Sequence, residues 1–212
     1  MISPSTSSTI TCVAAGPEHT AGLVALFKAA ESSCFCRFWH FEGTNNDWLN
    51  VCANATDENE SAFKTALATG QNEARGIVAL SRSTSEQEQE QEHVIGWLKV
   101  TPAQTMRKAY ERRFYKQLPA LQGDREGVFL IGCALIHPAH RKHGITKSLV
   151  AEAVRIAPQI WGAQALEALP RRPREAVRDE ELWTGPMGAF TSNGFVEVGG
   201  PEPYPVLRRT FG

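Results

Sequence analysis

The residues best suited to chemistry are Arg141, Lys142, His143, Gly144, Ile145 and Thr146, a basic turn punctuated by one glycine. They sit where an apolar run hands over to a segment with helical spacing. The first amides of a helix have no partner inside it and point out of its end, where the macrodipole adds partial positive charge. A glycine lets the backbone approach a ligand with no Cβ in the way. Arg141, Lys142 and His143 add side-chain charge. Such a turn can cradle a diphosphate. The plainer reading is an ordinary strand-to-helix turn with a solvated basic loop.

A second stretch with chemical potential is Ser32–Gly43, SSCFCRFWHFEG. Three readings are open. Cys34 and Cys36 can be small hydrophobes in a core segment. The aromatics can form one wall of a substrate pocket, with Cys34, Cys36, Trp39 and His40 on it and Trp97 beside them. Or Cys34, Cys36, His40 and Cys52 can hold a metal, although Cys-x-Cys with His four residues on is an unusual zinc spacing. His137, His140 and His143 surround the glycine turn across a proline and read as solvated loop residues, with a metal site as the alternative.

The elements that must position these groups follow from hydrophobic period. Val128–Ile136 is a nearly unbroken β-branched and apolar run, hence a buried strand, closed by Pro138. Ile145, Leu149, Val150, Ala153, Val154 and Ala157 then recur at helical spacing, giving one buried face. Before this unit, Thr9–Ala15 reads as a strand and Leu23–Ala30 as the apolar face of a helix that starts near Pro17. Asn45–Asn54 reads as a loop with a helical turn, and Thr56–Gly70 as a capped helix. Arg75–Leu80 and Val94–Val100 read as strands. The segment 81–93 between them alternates Glu and Gln, buries nothing, and reads as a disordered hairpin tip. Arg107, Lys108, Arg112, Arg113 and Lys116 fall in a basic helical or irregular excursion and read mostly as a solvated face. After the central helix, Gly162–Leu169, Phe195–Val198 and Val206–Phe211 read as strands, with a short helix in Leu182–Asn193.

The chain has 212 residues, 42% hydrophobic and 21% charged, so a packed core is feasible. A net charge of −1 without a long basic block argues against nucleic-acid binding. No apolar run approaches the ~20 residues of a membrane span, and the N-terminus has neither the basic start nor the apolar core of a secretory signal. Five cysteines, an odd number, argue for reduced thiols in the cytoplasm rather than a disulfide framework. Residues 1–8 read as a loose tail.

Strand, Arg141-x-x-Gly144-x-Thr146, helix resembles the acetyl-CoA signature of the GNAT superfamily of N-acetyltransferases, with Thr where the family usually has Gly or Ala. The order of elements and the Asn193-Gly194-Phe195 ending resemble it too. The resemblance covers roughly Thr9 to Phe211. It implies an α/β fold: one domain over residues 1–212, with a mixed, mostly antiparallel central sheet, splayed fourth and fifth strands, and flanking helices. It implies acetyl-CoA as co-substrate, no metal, and an amine of a small molecule or peptide as acceptor, in a monomer or homodimer. The pantetheine arm would pair with Ala134, Leu135 and Ile136, and the diphosphate would meet the amides of Arg141–Thr146. The thioester would lie near Cys133 and Ala134. Glu167, a carboxylate in an apolar strand, is the candidate base, its alternative being a surface-facing residue. Cys133 is a core residue, a proton donor or an acyl acceptor. Phe190 stands where the family often has a tyrosine acid, and Trp183 falls near a usual asparagine. A non-catalytic acyl-CoA-binding module remains the rival reading.

Overall fold

The computed structural model describes residues 8–83 and 91–212. Strand β4, Val128–Ile136, and helix α5, Ile145–Ile160, form its centre. The helix puts Ile145, Leu149, Val150, Ala153, Ile156 and Ala157 inward, on one face of the sheet. Each large aliphatic among them gains roughly 1.5–3 kcal/mol by leaving water. After α5 the chain returns to β5, Ala165–Ala168, which lies parallel to β4, as a βαβ crossover requires.

Around this unit the remaining strands are β1 (Ser8–Ala14), β2 (Gly76–Ser83), β3 (Gln91–Pro102), β6 (Val196–Gly199) and β7 (Val206–Thr210). Among the described residues, seven strands make one sheet in the order β1-β2-β3-β4-β5-β7-β6. Every pairing is antiparallel except β4 with β5. The mixed, mostly antiparallel α/β architecture expected from the sequence is therefore present.

The other face of the sheet carries α1 (Thr20–Ala29), α2 (Asn45–Asn54), α3 (Thr56–Ala68) and the short α4 (Arg107–Tyr110). Leu23, Leu26 and Phe27 of α1 pack with Phe63 and Leu67 of α3 against Val78 and Trp97. The short α6, Met187–Thr191, packs beside α5 with Phe190 inward.

Three local expectations change. Asn45–Asn54 is a full helix, because Thr44 and Asp47 form a reciprocal cap, with Thr44 N–H donating to Asp47 Oδ2 at 2.9 Å. Strands β2 and β3 run further than their apolar cores, so Ser81, Arg82, Glu92 and His93 are ladder residues rather than hairpin tip. Ser8, expected in the tail over residues 1–8, opens β1 opposite Ser83. The rest of the expected tip, 84–90, and of the expected tail, 1–7, lie outside the described residues.

Candidate active site

The site begins where β4 outruns its neighbour. β5 pairs only with Val128–Ile131 and ends at Ala168, so Gly132–Ile136 has no strand partner on that side. The splay expected between the fourth and fifth strands is thus a consequence of β5 having four residues against nine in β4. A groove of about 570 Å³ fills the gap, with Ala134, Leu135 and Ile136 on one wall and the glycine turn at one end. The other wall is the acidic turn from Asp179 to Trp183.

Gly144 caps α5 with φ 77° and ψ 5°, in the left-handed region, and Lys142 beside it has φ 64°. A side chain at Gly144 would be strained there, and its Cβ would stand in open space within the groove. No acceptor among the described residues meets the amides of Lys142 to Thr146. An N-terminal turn of unfilled donors facing an open groove is what an anion needs. The Arg141 guanidinium is already engaged: it meets Glu180 at 2.8 Å and Asp179 at 3.9 Å. A hydrogen bond from its own backbone N–H, followed by the Arg141 contact, keeps the Glu180 carboxyl below its ordinary range.

Of the residues expected to pair with a pantetheine arm, only Ala134 and Ile136 turn their backbone groups to the groove, because a strand alternates. Leu135 lies opposite Trp97 in the β3 ladder. The Ala134 amide donates to the Trp183 carbonyl at 2.7 Å. The Asp179–Trp183 turn therefore occupies two partners expected for a ligand, Arg141 by its carboxylates and Ala134 by its backbone.

On the other side of Trp183 lies a second, smaller pocket of about 260 Å³. Cys34, Cys36 and Cys133 line it with Phe38, Trp39 and Trp48. The Trp39 ring lies 5.2 Å from that of Trp183, and its indole N–H donates to the Gly132 carbonyl at 2.8 Å, tying the Ser32–Gly43 loop to β4. Phe35 and Cys36 hold φ 43° and 51°, strained values for residues with a Cβ, of a kind that clusters at functional sites. A hydrogen bond to Cys36 and burial push the Cys34 thiol well up, and burial does the same to Cys36, so both stay protonated at neutral pH. The groove and this pocket meet at Cys133, Ala134 and Trp183.

The aromatic stretch thus partly lines a cavity. His40 departs from it and lines a separate hollow with Glu73 and Lys108. Burial, with the Lys99 charge nearby, lowers the His40 pKa to about 3. Trp97 is fully buried in the core against Phe63 and lines neither cavity, because its β3 position faces α3. Phe190 is likewise fully buried, stacked edge-on against Phe195, and is not on the groove wall. Among the described residues no cluster of three or more His, Cys, Asp or Glu is arranged to hold a metal ion.

Glu167 is neither the groove-side base nor the surface residue that the sequence suggested. It is fully buried. Tyr110 donates to it at 2.9 Å, Arg208 at 2.9 and 2.6 Å, and Arg125 also binds it. It lies opposite Leu130, three residues before Cys133, or roughly 10 Å along the strand. A carboxylate held by two guanidiniums and a phenol is a tie between elements, not a free base.

Sequence reasoning missed Arg112 and Trp183 as site residues. Arg112 belongs by its neighbours to a solvated basic face, yet its guanidinium lies 4.9 Å over the Trp39 ring and lines the aromatic pocket. The indole of Trp183 was the available signal: a large aromatic in a charged loop has to pack somewhere.

No protein-family model matches the chain, and no curated protein matches it. Solved structures similar to it include a GNAT family acetyltransferase from Brucella melitensis in complex with acetyl-CoA, 17% identical over 96% of this chain and 89% of that one, TM-score 0.47. A GNAT family acetyltransferase from Streptococcus pneumoniae is 14% identical over 96% and 100%, TM-score 0.49. The PaiA N-acetyltransferase from Thermoplasma acidophilum, in complex with coenzyme A, is 9% identical over 96% and 99%, TM-score 0.48.

Proposed function

We propose that the chain is an acetyl-CoA-dependent N-acetyltransferase of the GNAT superfamily, one domain acting on an amine of a small molecule or peptide. One observation carries the reading. The unpaired half of β4 runs from a glycine turn with unfilled amides to an aromatic pocket, so a long thin ligand anchored at the turn reaches the pocket at Cys133 and Ala134. The Arg141-x-x-Gly144 resemblance supports the same assignment.

In this reading the amides of Lys142 to Thr146 and the Lys142 ammonium hold the diphosphate, and Arg141 exchanges Glu180 for phosphate oxygen. The groove-facing backbone of Ala134 and Ile136 pairs with the pantetheine arm once the Trp183 carbonyl withdraws. Acetyl-CoA supplies the acetyl group as a thioester. The acceptor nitrogen bonds to its carbonyl carbon, the carbon–sulfur bond breaks, the ammonium gives up its proton, and the thiolate takes one. In this reading the Ala134 N–H, once released by Trp183, polarises the carbonyl. Glu167 and Phe190 are sealed from the junction and the pocket lining holds no carboxylate, so both protons exchange with water in the groove.

Calorimetric titration with coenzyme A and release of free thiol with a panel of amines test the proposal. Binding with release supports it. Absence of binding overturns it. Binding without release from any amine identifies instead an acyl-CoA-binding module.

A further inference from the structure

The lining of the aromatic pocket carries one charge and no countercharge. Arg112 is half buried, with its guanidinium stacked on Trp39. Among the described residues it donates no side-chain hydrogen bond, and no carboxylate lies within salt-bridge distance of it. The rest of the lining is sulfur and aromatic carbon: Cys34, Cys36, Phe38, Trp48, Cys133 and Trp183. Burial lowers the Arg112 pKa, as it does for any cation partly withdrawn from water. A guanidinium is the side chain best matched to a carboxylate, which it binds through two parallel hydrogen bonds. The cavity, about 260 Å³, is below the roughly 300–1,000 Å³ that takes drug-sized ligands.

We infer that the acceptor is a small amine bearing a carboxylate and an apolar or aromatic body, the chemistry of a free apolar amino acid, with its carboxylate on Arg112 and its body against Phe38, Trp48 and Trp183. The inference rests on the acetyl-transfer reading for the fate of the amine, and on the pocket alone for recognition. A polycationic acceptor finds no acid in the lining to pair with, and Arg112 repels it. The volume holds about one residue of any peptide. The carboxylate gives orientation: held at Arg112, it leaves the rest of a single amino acid between the aromatic rings and the Cys133 edge of the pocket, where groove and pocket meet.

The test separates this inference from the reading beneath it. Trp39, Trp48 and Trp183 report occupancy through intrinsic fluorescence excited at a wavelength that phenylalanine does not absorb. The probes are L-phenylalanine and phenethylamine, which differ by the carboxylate alone, each titrated into the wild type, Arg112→Gln and Arg112→Lys. The expected result is that phenylalanine binds the wild type tighter than phenethylamine by roughly ten- to a hundredfold. Arg112→Gln erases that ratio, and Arg112→Lys keeps part of it. Equal binding of the two ligands by the wild type, no binding of either, or an unchanged ratio in Arg112→Gln overturns the inference. Should Arg112→Gln not fold, the wild-type ratio decides. Coenzyme A titration of the same preparations is read separately: its failure removes the acetyl-transfer reading and leaves the fluorescence ratio to judge the pocket.

Discussion

Gly144 is the residue on which anion binding turns. Its φ of 77° is costly for any residue with a Cβ and costliest for a branched one. Gly144→Val is therefore expected to weaken coenzyme A binding at least about tenfold, through a shifted turn and a side chain standing in the groove. Unchanged affinity by calorimetry would remove the cradle. His40 makes a separate, pH-dependent contribution. Its pKa is near 6.5 unfolded and about 3 in the fold, so the folded state binds fewer protons across that window. The stability it contributes is complete above about pH 6.5 and is lost as pH falls towards 3. In His40→Gln, urea midpoints measured from pH 7 to pH 4 should fall less steeply than in the wild type. Parallel slopes would show that the imidazole is not held neutral.

At the scale of elements, the Asp179–Trp183 turn works against the cradle that it borders. Its carboxylates hold Arg141, and its carbonyl holds the Ala134 amide. Ligand entry replaces both contacts. Glu180→Gln removes one carboxylate from the groove and frees Arg141, so coenzyme A should bind a few-fold tighter, and the gain should shrink as salt rises, because exposed charges are screened. A variant that binds more weakly at every salt concentration would mean that the turn helps to hold the ligand instead of competing with it. The difference in length between β4 and β5 is the other feature of this scale. A β5 extended past Ala168 would pair with Gly132–Ile136 and abolish the groove.

Over the whole molecule, Glu167 joins parts of the chain that lie 41 to 57 positions from it. Tyr110 comes from α4, Arg125 from the loop before β4, and Arg208 from β7. Leaving two guanidiniums around an absent partner is expensive. Glu167→Gln should cost about 3 kcal/mol of stability, read from urea unfolding. The pH profile of acetyl transfer should keep its shape, since the carboxylate is remote from the junction. A shifted profile with unchanged stability would restore Glu167 as the base and refute the tie.

The sequence by itself determined the Val128–Ile136 strand, the Arg141–Thr146 turn and the α5 face, because hydrophobic period and glycine placement are written in neighbouring residues. It also placed Cys34, Cys36 and Trp39 on a pocket wall as one of three readings. Only the tertiary structure decided what the isolated charges do. Glu167 meets partners 41 to 57 positions away. Arg112 reads locally as one cation in a basic run, yet it stacks on Trp39. Trp183 reads as a loop aromatic, yet its carbonyl occupies Ala134. A side chain's burial and charge partners depend on which distant segments pack over it, and no local pattern of residue types records that.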